Sequence, residues 1–180
     1  NSLFKKGALA SSVDALRILA EAPDTPDERR EDAKIQLAAA LMGISRWDEA
    51  QRVIGRLRPS PGELTIEDAF NYAMAEWAKT GTIPRDPFVR VIELDNPAEH
   101  TGANYAQCLA LAFFAIGDSE RAEQRITRAE ELAKNIRGTE FSCWRYREVD
   151  GTEFLEDCKA IRHLISGGEG HPRFFPAKQQ

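Results

Sequence analysis

Long apolar runs are missing from this 180-residue chain: the stretches Leu37 to Ile44 and Leu109 to Ile116 are eight residues each, and a helix needs about 20 to cross a bilayer. Membrane insertion is therefore not expected. Cysteine is scarce: Cys108, Cys143 and Cys158 form no regular framework, and an odd count of thiols in apolar surroundings suits a reducing compartment better than a disulfide scaffold. A cytoplasmic location is expected, and because the chain starts at Asn1, a trimmed precursor is expected with it. Valine is rare, 5 residues against 25 alanines, and β-branched residues are what strands favour while alanine is the best helix former, so an all-β fold is excluded. A basic stripe is missing too. The net charge is −5 with both signs interleaved, which leaves nothing to draw in a phosphate backbone, and nucleic acid is not expected as a partner. With 12 Gly and 9 Pro, neither a collagen-like nor a disordered chain fits, and one globular domain is the default.

What is present is a repeated pattern. Leu37, Ala38, Leu41, Ser45, Ala50, Ile54 and Leu57 recur at the same offsets as Leu109, Ala110, Phe113, Gly117, Ala122, Ile126 and Ala129. Each set reads as two amphipathic helices, an apolar stripe in steps of three and four, a short break, then a second stripe. Ala38, Ala50, Ala110 and Ala122 fall where two antiparallel helices must approach closely. Asp118 or Ser119 supplies the N-cap after the second break. Ala50 to Ala122 spans 72 residues, twice 36, which leaves room for one further unit. Its first helix is expected over 65–79, and its second, shorter, from about Pro87 at the first helical position to Leu94. Before these, Val13, Ala15, Leu16, Ile18, Leu19 and Ala22 form one face of a lone helix, ended by the loop 23–29. Units of about 8–29, 31–61, 65–97 and 103–135 result.

After residue 135 the register stops. Segment 141–149 is aromatic-rich with partial two-residue alternation, so extended chain and helix both remain open. Its Phe141, Trp144 and Tyr146 either pin the segment to the last repeat or fold across the repeats and cover them. Thr152 is expected to cap a last helix over 152–166, with Phe154, Leu155, Cys158, Ile161, Leu164 and Ile165 inward. Glu153, Glu156, Asp157, Lys159 and Arg162 are expected to meet water, as the terminal cap of a solenoid should. Residues 167–180 read as a flexible tail, Phe174-Phe175 being the exception to test.

The repeated positions resemble the tetratricopeptide repeat, most closely over 103–135, and the resemblance covers roughly residues 10–135. It implies an all-α, right-handed α-solenoid of helix pairs with a C-terminal capping helix. It further implies a non-catalytic protein-interaction module whose first helices line a concave groove for a partner's peptide or helix. Carried over position by position, the groove presents Asp32, Ile35, Gln36, Ala39 and Met42, then Asp68, Asn71, Tyr72 and Ala75, then Asn104, Gln107, Cys108, Leu111 and Phe114. None is basic, which disfavours clamping of a C-terminal carboxylate. Amides such as Asn71, Asn104 and Gln107 suit a partner's backbone, because each offers donors and an acceptor. A chaperone for one secreted or assembly client, as small acidic bacterial proteins of this kind provide, is the alternative. An enzyme using the helical cup as a pocket is the third reading.

No cofactor is implied and no metal is expected. Cys143, Cys158, His163 and His171 match no paired-ligand spacing. Cys108 with His100 lacks a cationic neighbour that would lower the thiol pKa, and a buried thiol is the plainer reading. Trp144-Arg145-Tyr146-Arg147 interleaves aromatics and charge as a single-strand platform would, on weak support in an acidic chain. The open end of the incomplete first unit, near Leu3-Phe4 and Val13, offers a surface on which a homo-oligomer can form.

Overall fold

The computed structural model describes residues 9–57 and 64–176. Eight helices and one β-hairpin follow in chain order: α1 Leu9–Glu21, α2 Asp27–Gly43, α3 Trp47–Leu57, α4 Ile66–Thr80, α5 Arg85–Glu93, α6 Ala103–Ala115, α7 Ser119–Ala133, β1 Thr139–Ser142, β2 Arg147–Asp150 and α8 Gly151–Ile165. Each helix packs on the next in sequence, and α2 touches α4 and α6 touches α8 in addition. This is a helical-repeat, solenoid-like arrangement. The hairpin makes the expected all-α class only approximate. Among the described residues no helix is long and apolar enough to cross a membrane.

The repeated positions do what their spacing requires. Leu37, Leu41, Leu109 and Phe113 are buried, as are the four close-approach alanines Ala38, Ala50, Ala110 and Ala122. Each break closes its helix by the same device: the Arg46 N–H donates to Leu41 O at 2.9 Å, and the Asp118 N–H donates to Phe113 O at 2.9 Å. That closure needs a left-handed residue before it. Gly117 supplies it at φ 85, and Ser45 supplies it at φ 62 despite its Cβ. Asp118 caps α7 by accepting the Arg121 N–H.

Four local expectations need correction. α5 begins at Arg85 behind Pro84, so Pro87 sits in its first turn and not at its first position. α8 is capped by Asp150, whose carboxylate accepts the Thr152 and Glu153 N–H groups, and not by Thr152. The face of α1 is split: Val13, Leu16 and Ala20 are buried, whereas Ala15, Ile18 and Leu19 point outward, with Ile18 67% exposed. Leu3 and Phe4 lie outside the described residues. Finally, segment 141–149 is neither helix nor a single extended strand. β1 and β2 pair antiparallel, Ser142 opposite Arg147 and Thr139 opposite Asp150, around the loop Cys143-Trp144-Arg145-Tyr146.

Candidate functional site

The inner faces of α2, α4 and α6 form the wall that the repeat pattern assigns to recognition, and the hairpin loop lies against it. Gln107 of α6 is fully buried. Its carboxamide oxygen accepts the backbone N–H of Cys143 at 2.9 Å and the Cys143 thiol at 3.1 Å, while its nitrogen reaches Cys158 Sγ at 3.8 Å. On α4, Asn71 Oδ1 accepts the Tyr146 hydroxyl at 2.9 Å, both groups buried. Tyr146 holds φ 52 to make this contact, a left-handed conformation that a bulky residue adopts only when its surroundings fix it.

A second segment extends the cover. After α8 ends, the chain turns back so that the Arg173 N–H donates to Trp144 O at 2.7 Å and the Ser45 hydroxyl donates to Phe174 O at 3.2 Å. Phe174 packs on Tyr146 with ring centroids 4.4 Å apart. Phe175 lies edge-on to Trp77 at 5.4 Å and tilted to Trp47 at 6.3 Å. Both phenylalanines are buried, so the tail through Pro176 is part of the fold and not a free end; residues 177–180 lie outside the described residues.

The groove residues read from the sequence therefore separate. Ala39, Met42, Asn71, Gln107 and Leu111 are buried, as are Asp68 and Ala75, and in this conformation no partner can reach them. For Asn71 and Gln107 the reason is that the chain's own hairpin loop supplies the cover that the amphipathic pattern only demanded. Gln36, Ile35, Asn104, Cys108 and Phe114 are partly exposed, and Asp32 is exposed. Tyr72 is exposed, but it follows Asn71 by one residue and so sits about 100° round the helix. It shares that side with Glu76 and Lys79, which bond Gln51 and Asp48 of α3. Tyr72 is not part of the covered wall.

Sequence reasoning missed the charged side of α8. Asp157 was expected to meet water, yet it is fully buried. It accepts from Ser142 Oγ at 2.8 Å and, through both oxygens, from Arg145 Nε at 2.9 Å. Burial pushes the Asp157 carboxyl up from its ordinary value, with Ser142 and Arg145 pulling the other way. Glu153 and Glu156 complete the cage around Arg145, at 3.2 and 3.1 Å, and Arg147 reaches Glu153 at 2.7 Å. Arg162 pairs with Glu130 of α7 at 2.8 Å. With both arginines paired and Trp144 and Tyr146 buried, the single-strand platform is gone. Asp157 falling between apolar Phe154 and Cys158 was the signal available in the sequence.

Neither of the two buried thiols, Cys143 and Cys158, is poised as a nucleophile. Burial, with Cys108 adding to it, pushes the Cys143 thiol well above its ordinary value, and burial pushes Cys158 up to about 12. Both are protonated at neutral pH, and only a thiolate attacks. His100 is engaged elsewhere, stacked on Tyr105 at 4.6 Å and 3.1 Å from Asp95. His163 is exposed, and His171 stacks on Phe175. Among the described residues no cluster of three or more His, Cys, Asp or Glu is placed to hold a metal ion.

Fold and wall together define a helical-repeat, solenoid-like protein whose first-helix faces hold a hairpin and an extended segment. Comparison with family models, curated proteins and solved structures finds no match to the chain.

Proposed function

We propose that this chain is a tetratricopeptide-type, non-catalytic protein-interaction module that binds an extended segment of a partner protein along its first-helix groove. The observation that carries this reading is the Gln107 amide accepting a backbone N–H from the hairpin loop, that of Cys143, at 2.9 Å. A first-helix amide thus already holds main chain, the contact that groove recognition needs. The repeated helix pairs and their left-handed breaks support the repeat type. The protonated, buried thiols support a role without covalent chemistry. Gln36 and Asn104 are the amide groove positions left partly exposed, and they are where a partner would first touch the wall.

The test uses the full chain with a photo-crosslinking residue at Gln36 or Asn104, and at the exposed Gln124 of α7 as control. A polypeptide crosslinked at positions 36 and 104 and absent at 124 is the expected result. Equal crosslinking at all three positions, or none at 36 and 104, overturns the reading.

A further inference from the structure

Residues 171–176, His-Pro-Arg-Phe-Phe-Pro, are held differently from the rest of the cover. The hairpin has its own strand pairing, a buried amide clamp and the ion-pair cage on α8. The segment has no regular structure of its own. The contacts that hold it include the Trp144 carbonyl on Arg173 N, the Ser45 hydroxyl on Phe174 O, the Arg173 ion pairs with Asp157 and Glu156, and the seats of two aromatic rings. It is joined to α8 through Gly167-Gly168-Glu169-Gly170. Gly167 sits at φ 84, a left-handed conformation that favours glycine.

The seat has the features of a ligand pocket. Its aromatic floor, Trp77 and Trp47, is met by Phe175, and Tyr146 receives Phe174. Beside it the buried Asp157 and the exposed Glu156 stand 3.8 and 4.0 Å from the Arg173 guanidinium, so the residue before the aromatic pair meets negative charge. The Trp47 indole N–H is buried with no acceptor among the described residues. Ser45 keeps a serine in a left-handed position that its repeat counterpart fills with Gly117, and its hydroxyl is what holds Phe174 O.

We propose that residues 171–176 are a tethered occupant of a peptide-docking pocket floored by Trp47 and Trp77. A partner segment with a basic residue followed by two aromatic residues displaces them. The proposal rests on the groove reading above and names both the partner's chemistry and the regulation of that site. The tether gives the resident segment an effective concentration in the millimolar range, so the pocket opens only to a partner that is tighter or locally concentrated.

The probe is the blocked peptide acetyl-His-Pro-Arg-Phe-Phe-Pro-amide, added to the full chain and to the full-length double variant Phe174→Ala, Phe175→Ala, with tryptophan fluorescence as the readout. Binding to the variant about tenfold or more tighter than to the parent is expected, because the parent's own segment competes. A peptide with both phenylalanines replaced by serine should not bind either. Equal affinity of the Phe-Phe peptide for both proteins, or no binding to a folded variant, overturns the proposal. Hydrogen exchange on the unaltered chain decides the matter if the variant does not fold. The Arg173 N–H should exchange faster than the Cys143 N–H, and excess peptide should speed the first and leave the second unchanged. Exchange of both at one common rate means that the segment is core, and the proposal fails. A concentration-dependent dimer that keeps Arg173 protected assigns the pocket to a second copy and also overturns it. None of these measurements needs a cellular partner, so they can fail while crosslinking at Gln36 succeeds, and the reverse.

Discussion

Replacing Tyr146 by Phe and Asn71 by Leu, singly and together, measures how firmly the hairpin closes on the repeats. The two side chains are 2.9 Å apart in a site where Tyr146 is 0% and Asn71 4% exposed. Tyr146→Phe leaves the Asn71 oxygen without its donor in a dry site, which costs about 1–3 kcal/mol. Asn71→Leu leaves the Tyr146 hydroxyl unpaired at a similar cost. The double variant removes both polar groups and replaces them with apolar ones of comparable size, and such an exchange is close to neutral. With each single variant costing about 1.5 kcal/mol and the double variant close to neutral, the coupling from the cycle is expected at about 3 kcal/mol, the top of the range for contacting pairs. Each single variant should lower Tm by about 4 °C, at roughly 2–4 °C per kcal/mol for a domain of this size. Urea denaturation followed by circular dichroism gives all four stabilities, with an unchanged m-value confirming that the unfolding reaction is the same. Strict additivity, with Tyr146→Phe neutral, would mean that the hairpin does not seat on α4, and the account of the covered wall would fall with it.

Three further outcomes follow from the same geometry. Gly117→Ala should cost about 1–2 kcal/mol, because φ 85 puts a Cβ against the following carbonyl, whereas Gly55→Ala in α3, with open space around it, should gain up to about 1 kcal/mol; equal effects in thermal melts would refute the left-handed closure. Ser45→Gly relieves the strain of φ 62 but removes the hydroxyl from Phe174 O, so global stability should change by less than about 1 kcal/mol while the Arg173 amide exchanges faster; an unaltered Arg173 would mean that Ser45 does not hold the segment. For pH, burial places the folded-state pKa of Asp157 above its unfolded value, so folding takes up a proton there. Its contribution to stability rises as pH falls through the folded value and is complete below the ordinary carboxylate value. Asp157→Asn cannot titrate, so between pH 7 and pH 4 it should lose ground to the parent, and a difference that stays constant or moves the other way refutes the assignment.

The helices and their pairing were legible in the sequence because apolar spacing is a local record of which face is buried. The equivalence of Ser45 and Gly117, the alanines at close approach and the Asp118 cap all follow from offsets within one or two turns. Even the density of Phe141, Trp144 and Tyr146 marked the segment that covers the repeats. Local spacing could not say what buries a face. The pattern on α2, α4 and α6 fits a waiting groove and an occupied one equally well, since Asn71 and Gln107 carry the same amides whether they meet a partner or this chain.

That choice was made by contacts between residues far apart in sequence: Gln107 with Cys143, Asn71 with Tyr146, Ser45 with Phe174. The same holds for Asp157, which its own helix marked as solvated until Arg145 and Ser142 came across from the hairpin. Periodicity is fixed by backbone geometry and is therefore written in the sequence. Occupancy of a face depends on which distant segment gains most by covering it, and only the folded chain decides that.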